Sequence, residues 1–385
     1  MKIPLRILAF AALAFGFISL KPDFFPSRDF VEYWSAAHVL AHGGNPYDGA
    51  ELLTVQRTVD DEVKDKAVSL WTPPWTLPLY LPFGFLPFAL AHKVWLIVQL
   101  VCLGAAAEML FQPTRNTVWA FDLLPYLVLV LFSPVFWNLH FGQNTAFILL
   151  GLAGFLRFRE TRPVLAGAFV ALTAIKPHLL AVFGVVLILD AMRHSGRRAL
   201  LGGIGVLAIG SAIALAFDAR IFAQFAEAVT KPSTAETVSL KDWNVPVFSY
   251  HLRQAVAPNI FWTQFIPCLV TSVLAAVYYF RRRAAWDWHR ELPRIVTVSM
   301  VVAPYGAWIF DLTLLLVPLF AGAVMVIRTT DFACWAPYFG GLMIASIFGL
   351  KIGGLADAWW FTPAFAGLYL FAEFYRSGRS RSFDR

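Results

Sequence analysis

The sequence predicts an all-α polytopic membrane protein, a bundle of about twelve transmembrane helices. Three observations predict it. Of the 385 residues, 59% are hydrophobic and only 14% are charged, whereas soluble domains average roughly 45–50% apolar and 25% charged. The apolar runs are continuous, which suits membrane helices and argues against the alternating pattern of a β-barrel. The basic residues sit in short loops between those runs, where they set orientation. The net charge of +7 therefore points to a bilayer and not to nucleic acid.

Residues 1–20 are the first span. Lys2 and Arg6 ahead of an apolar run have the form of a signal peptide, but with many spans following, an uncleaved anchor is the better reading. Residues 21–91 form a region on the outer face. Up to Leu70, the acids Asp23, Asp29, Glu32, Asp48, Glu51, Asp60, Asp61, Glu62 and Asp65 outnumber the bases. Within it, Asp29 opens an amphipathic segment with Glu32, Tyr33, Trp34, His38 and His42, which ends in the turn Gly43-Gly44-Asn45-Pro46. We expect this helix to lie at the outer membrane surface, with Asp29 facing a cavity.

Residues 71–91 contain Pro73, Pro74, Pro78, Pro82 and Pro87. Each proline removes a donor and disfavours helix before it, so a re-entrant or interfacial pair of short helices is expected. Broken backbone at membrane depth is tolerated where it lines a cavity or is buried in protein.

Residues 92–217 are a transmembrane core, with spans expected near 92–111, 118–138, 142–158, 163–175, 178–192 and 199–217. Lys176-Pro177 splits one pair. Residues 218–259 are a second outer loop, with Lys241, Trp243-Asn244, Tyr250-His251 and Arg253. Residues 260–375 are a C-terminal core, with spans near 260–280, 295–304, 311–327, 333–350 and 358–374, and residues 376–385 are a basic tail.

The charges test this trace. Arg115, Arg157–Arg162, Arg193–Arg198, Arg281–Arg294, Arg328 and the tail all fall on the side of Lys2 and Arg6. Both termini are then cytoplasmic. Counting residues 71–91 as a full crossing would invert every later loop.

Several classes are excluded or weakened. There is no tandem or convincing inverted repeat, which weakens a transporter. No Walker loop, strand-linked GxGxxG or HExxH occurs, and the cytoplasmic loops are too short for a nucleotide-binding domain. Cys102, Cys268 and Cys334 have no metal or disulfide spacing. Asp60-Asp61-Glu62 reads as a solvated loop, so neither metal nor cofactor is expected.

The candidate site residues each have a plain alternative. Asp29 with Glu32 fits a capping box, yet a carboxylate beside a membrane cavity can also act as a general base. Lys176 lies between apolar segments, where a charge is costly and commonly functional; with His178 it would hold an anion, or it snorkels to the surface. His140, Gln143 and Asn144 occupy an outer turn and serve either as loop polarity or as sugar or phosphate ligands. Tyr47 and Trp71 suit an interfacial belt as well as a ligand wall. Asp311 reads as an N-cap, and Arg253 as solvated or as closing over an anion.

The order of motifs resembles glycosyltransferase family 87, membrane mannosyl- and hexosyltransferases of the GT-C class. The carrying residues are Asp29-Phe30 with Tyr33-Trp34 and Ala36-Ala37, then Gly44-Asn45-Pro46-Tyr47-Asp48, Pro73-Pro74, Pro82, Leu86-Pro87 and Trp95. Gly142-Gln143-Asn144, Ala166-Gly167, Ile175-Lys176-Pro177, Pro304-Tyr305 and Asp311-Leu312 follow. The likeness covers residues 29–318. It departs at Thr72, where an aromatic is usual, and before Asp311, where a Trp-Asp-His pattern is absent.

The resemblance implies a GT-C-like bundle with juxtamembrane helices on the outer face of the cell (inner) membrane. It implies a polyprenyl-phosphate-linked sugar donor, mannose favoured, and a glycolipid or glycan acceptor. It also implies inverting transfer without a metal, with Asp29 as base and Lys176 beside the phosphate. Tyr33, Tyr47, Trp71, His140, Gln143, Asn144, His178, Arg253 and Asp311 are the further binding candidates. The alternative reading is a transporter or flippase of a lipid-linked sugar.

Overall fold

A chain this apolar satisfies its backbone inside helices, because hydrocarbon offers no other partners. The computed structural model describes residues 2–20, 25–26, 28–59, 65–111, 123–231, 245, 247–328, 332–351 and 359–383. All regular structure among them is helical. Asp60-Asp61-Glu62, Lys241 and Trp243-Asn244 lie outside the described residues.

After α1 (Lys2–Leu20) come two short helices, α2 (Phe30–Ala41) and α3 (Gly49–Gln56). The Pro-rich stretch, where a re-entrant or interfacial pair of short helices is expected, is a 3-10 turn, Pro74–Thr76, running into α4 (Leu77–Gly84). Then follow α5 (Phe88–Leu110), α6 (Leu124–Leu131), α7 (Ser133–Phe141) and α8 (Thr145–Phe158). Next are α9 (Pro163–Val170), α10 (Ala181–Asp190), α11 (His194–Phe217) and α12 (Ile221–Thr230). The chain ends with α13 (Phe248–Val256), α14 (Ile266–Arg282), α15 (Trp288–Val301), α16 (Leu316–Arg328), α17 (Phe332–Leu350) and α18 (Phe361–Phe383).

Five helices among the described residues are long and apolar enough to cross a bilayer, and seven spans result if each of two bent pairs counts as one. The sequence reading expects about twelve. The difference is one of length. α8 has only 14 residues, and the expected pair near 163–192 is a single structure folded back on itself by 117°. α11 and α14 turn Leu201, Ile204, Ile209, Leu269, Val273 and Leu274 outward. Such apolar faces are a liability in water and natural against lipid.

α2 departs from expectation in one respect. It is enclosed by protein and has no amphipathic face: Phe30 through Ala37, Val39 and Leu40 are all buried. The cause is α4, which packs across it. Any side chain at Gly84 would collide with the α2 backbone at Ala37 and His38. Trp34 Nε1 donates to Leu86 O at 3.0 Å, and His38 Nδ1 lies 3.0 Å from Gly84 O. Trp95 of α5 is fully buried at the centre, with Phe30, Tyr33, Tyr80, Phe83 and Phe147 around it.

Candidate active site

Gly142 ends α7 with φ of 68°, a left-handed conformation that glycine adopts without strain. Its carbonyl accepts from Trp95 Nε1 at 2.8 Å, and Gln143 N donates to Asn138 O at 2.9 Å. This tight turn aims Gln143 away from both helices it joins and toward Asp29.

Asp29 precedes α2 with helical φ and ψ of −82° and −16° and makes no side-chain cap. An N-cap carboxylate folds back on its own helix from an extended backbone. Asp29 instead accepts from Gln143 Nε2 at 2.7 Å, while its backbone N–H donates to Phe141 O at 2.9 Å. The capping box read from Asp29 and Glu32 does not form.

Lys176 stands at the break between two 3-10 segments, Ala171–Ile175 and Pro177–Leu180. Pro177 disfavours helix at the residue before it, so the backbone opens here. The Lys176 ammonium donates to Gln143 Oε1 at 2.8 Å and to Asp311 Oδ1 at 2.7 Å, and lies 4.9 Å from the Phe310 ring centre. It does not snorkel: its side chain is 13% exposed.

Asp311 also accepts from Thr145 Oγ1 at 3.0 Å and from Trp308 N at 3.2 Å. It follows Phe310, the N-cap position of a 3-10 turn, and so is a partner of Lys176 rather than a cap. The loop before it carries Gly306 and Ala307 at positive φ. For Ala307 this is a strained conformation of the sort that clusters at functional sites.

The result is one connected line, Asp29, Gln143, Lys176, Asp311. Tyr33 OH adds a bond to Gln143 Oε1 at 2.9 Å. The amide orientation follows: its oxygen takes the ammonium and the phenol, and its nitrogen faces the carboxylate. A flipped amide would set NH2 against NH3+.

These groups line a cavity of about 470 Å³, together with Glu32, Trp71, His178, Tyr305 and Trp308. Burial pushes the Asp29 carboxyl up to about 6, against the pull of the Gln143 amide and the Lys176 charge. Burial, reinforced by the Asp29 charge, holds the Glu32 carboxyl well above the usual range. Two neighbouring carboxyls with a raised affinity for protons, and a cation joined to one of them through Gln143, form an acid–base site of the kind that enzymes tune. Among the described residues, no three His, Cys, Asp or Glu side chains are grouped to hold a metal ion.

Of the sequence candidates, Asp29, Tyr33, Trp71, Gln143, Lys176, His178 and Asp311 face this cavity. Four others do not line it. Asn144 turns into the core and donates to Tyr80 OH at 2.9 Å. His140 packs among Phe136, Trp137 and Phe141. Tyr47 donates to Thr72 O at 3.1 Å and lines a separate pocket. Arg253 is buried on α13 against the rings of Tyr250 and Phe261.

Sequence reasoning did not single out Glu32, Thr145, Trp308 or Phe310 as site residues. Glu32 fits the third position of a capping box, which hides any other role. Trp308 and Phe310 had a signal in their closeness to Pro304-Tyr305 and Asp311.

No curated protein and no solved structure matches the chain. The family model of glycosyltransferase family 87 matches residues 71–308, more than half of its length. That stretch holds Trp71, Gln143, Lys176, His178 and Tyr305 but stops short of both Asp29 and Asp311, which join the site by geometry. The match decides the choice between a transferase and a flippase. The chain belongs to glycosyltransferase family 87, and is thus a membrane glycosyltransferase that moves a sugar from a donor to an acceptor.

Proposed function

We propose that the enzyme transfers a hexose, mannose favoured, from a polyprenyl-phosphate sugar to an acceptor hydroxyl, with inversion, on the outer face of the cell membrane. The observation that carries this reading is the line from Asp29 through Gln143 to Lys176, with a base and a cation set on one cavity wall.

The steps follow from charge. The acceptor oxygen attacks the anomeric carbon as the bond from that carbon to the phosphate oxygen breaks. Asp29 takes the acceptor proton. Polyprenyl phosphate leaves with both electrons of the broken bond, and its growing negative charge is met by Lys176, with His178 nearby. Preorganised charge of this sort commonly lowers the barrier to such a transfer more than any other effect. Asp311 holds the Lys176 ammonium in place by accepting from it at 2.7 Å. Gln143 fixes the spacing between base and cation, so that proton removal and leaving-group departure occur along one axis.

A donor carried in the bilayer would explain why the chain needs no soluble donor domain. The backbone breaks at residues 71–73 and 175–178 border the cavity and would give its chain a way in. Orientation rests on the basic loops, which put both termini in the cytoplasm.

The test is transfer by purified protein in lipid nanodiscs, given polyprenyl-phosphate mannose and membrane-lipid acceptors. Wild type is expected to release polyprenyl phosphate, and Asp29→Asn is not. Equal release by both would remove Asp29 from the chemistry. Release with glucose or arabinose donors alone would correct the sugar.

A further inference from the structure

A second pocket, of about 170 Å³, adjoins the active-site cavity, and Trp71 lines both. α12 also serves both. Its Phe225 and Val229 face the cavity, while Gln224, Glu227 and Ala228, with Lys231 just past its end, face the smaller pocket. These are two adjacent stripes of one helix, as spacings of three and four residues require. The opposite wall is the turn Asn45-Pro46-Tyr47-Asp48 with the start of α3. This is a motif of the sequence that the main cavity leaves unused.

The turn is rigid. Asn45 Oδ1 accepts from Tyr47 N at 3.0 Å, Glu51 Oε2 accepts from Asn45 N at 3.0 Å, and Asp48 Oδ1 accepts from Ala50 N at 2.9 Å. Tyr47 OH holds the backbone beside Trp71 through Thr72 O.

The chemistry of the walls selects a ligand class. Ser69 and Gln224 both line the pocket, and Ser69 Oγ and Gln224 Oε1 are enclosed without a hydrogen-bond partner among the described residues. An enclosed polar atom left unpaired is costly, and a ligand hydroxyl would offset that cost after a small side-chain rotation. The one ammonium, Lys231, is paired with Glu227 at 2.9 Å, so the pocket is not built for an anion. Amide, carboxylate and hydroxyl oxygens beside indole and phenol rings suit a neutral polyol. Its hydroxyls would donate to the oxygens, and its C–H face would lie on an aromatic ring.

We propose that this pocket is an acceptor-side saccharide subsite. It holds the sugar unit next to the one whose hydroxyl faces Asp29, with Trp71 as the wall between the two. The acceptor is then a glycan of at least two units, rather than a monosaccharide or a lipid alcohol. The inference rests on the reading of the main cavity as the site of transfer.

The experiment measures binding, so that it stays readable if the transfer reading fails. Full-length protein in nanodiscs, without donor, is titrated with methyl glycosides of mannose, glucose, galactose and arabinose and with their disaccharides, followed by saturation-transfer NMR. At least one disaccharide is expected to bind about tenfold more tightly than its monosaccharide, which corresponds to about 1.4 kcal/mol. Gln224→Leu is expected to remove that gain. Ser69→Val is the second variant, used alongside it and relied on if Gln224→Leu does not elute as a single folded species. A gain that survives in every variant that folds, or no gain from a second unit with any sugar, overturns the proposal. Disaccharide binding by a protein that transfers nothing would uphold the pocket and sink the main reading instead.

Discussion

Two buried ion pairs mark opposite ends of α8, and they differ in what surrounds them. At its start, Thr145 joins the pair of Lys176 and Asp311. At its end, Arg159 pairs with Asp190, which also accepts from Tyr279 OH at 3.1 Å and Trp288 Nε1 at 3.2 Å. The 14 residues between them place the two pairs about 20 Å apart. The Arg159 pair is itself buried, with Glu160 and Arg193 reaching it from the surface at 3.5 and 3.7 Å. Its side chains are 2% and 0% exposed, and the guanidinium lies against the rings of Phe155 and Trp288. The Lys176 pair opens on a cavity of about 470 Å³ and continues through Gln143 to Asp29.

The backbone differs in the same way. Arg159 and Asp190 sit where regular helices end, and Tyr279 and Trp288 come from two further helices, so the pair ties four helices together. Lys176 and Asp311 stand in 3-10 segments and breaks, and Gln143 follows a left-handed glycine. A buried pair on regular structure is architecture. An open pair on broken structure is a site.

Substitutions should separate the two. The largest expected effect is that of Asp29→Asn, a loss of about 10²–10⁴ in transfer rate, the usual contribution of a general base. Its fold should hold. The raised affinity of Asp29 for protons means that the folded state disfavours the carboxylate, so the neutral amide should raise the unfolding temperature at pH 8. Lys176→Ala should cost about 10²–10³ in kcat, the scale of one lost charge-stabilising donor, with Lys176→Arg recovering part of it. If Lys176→Ala raised KM alone, the lysine would bind substrate without assisting departure of the phosphate.

Asp190→Ala should show the opposite profile. Removing one partner of a buried pair costs about 3–5 kcal/mol, and it leaves the Arg159 charge enclosed. The unfolding midpoint in detergent should fall by several degrees, while the folded fraction keeps its kcat. A fall in kcat with no loss of thermal stability would break the comparison, because it would couple the Arg159 pair to the site.

Much of this was legible in the sequence, for identifiable reasons. Charge depletion and loop arginines gave the membrane class. The prolines at 73–87 gave a broken segment, and Lys176-Pro177 gave a second, since both rules are local. Asp29 and Asp311 are legible as helix-start carboxylates, Gln143 as turn polarity and Lys176 as a charge that is costly in an apolar stretch, each a polar group in need of a partner. Which partner it finds depends on the fold. Nothing local says that Asp29 forgoes its own helix for Gln143, or that Asn144, one residue on, turns into the core toward Tyr80. The enclosure of α2 was equally hidden, because it depends on α4 packing across it at Gly84.

The smallest expected effect sharpens the comparison most, because it follows one proton. Asp29 acts as a base only when deprotonated, so kcat/KM should rise with pH through about 6, the value to which burial lifts it. The Gln143 amide pulls that value down by donating to the charged form. Gln143→Leu removes the donation and should move the midpoint to higher pH, beyond whatever it costs in rate by loosening Lys176. Asp190→Ala should leave the midpoint where it was, since that pair is about 20 Å away. A midpoint that stayed put in Gln143→Leu would mean that the amide only spaces the two charged groups, and that burial alone sets the proton affinity of the base.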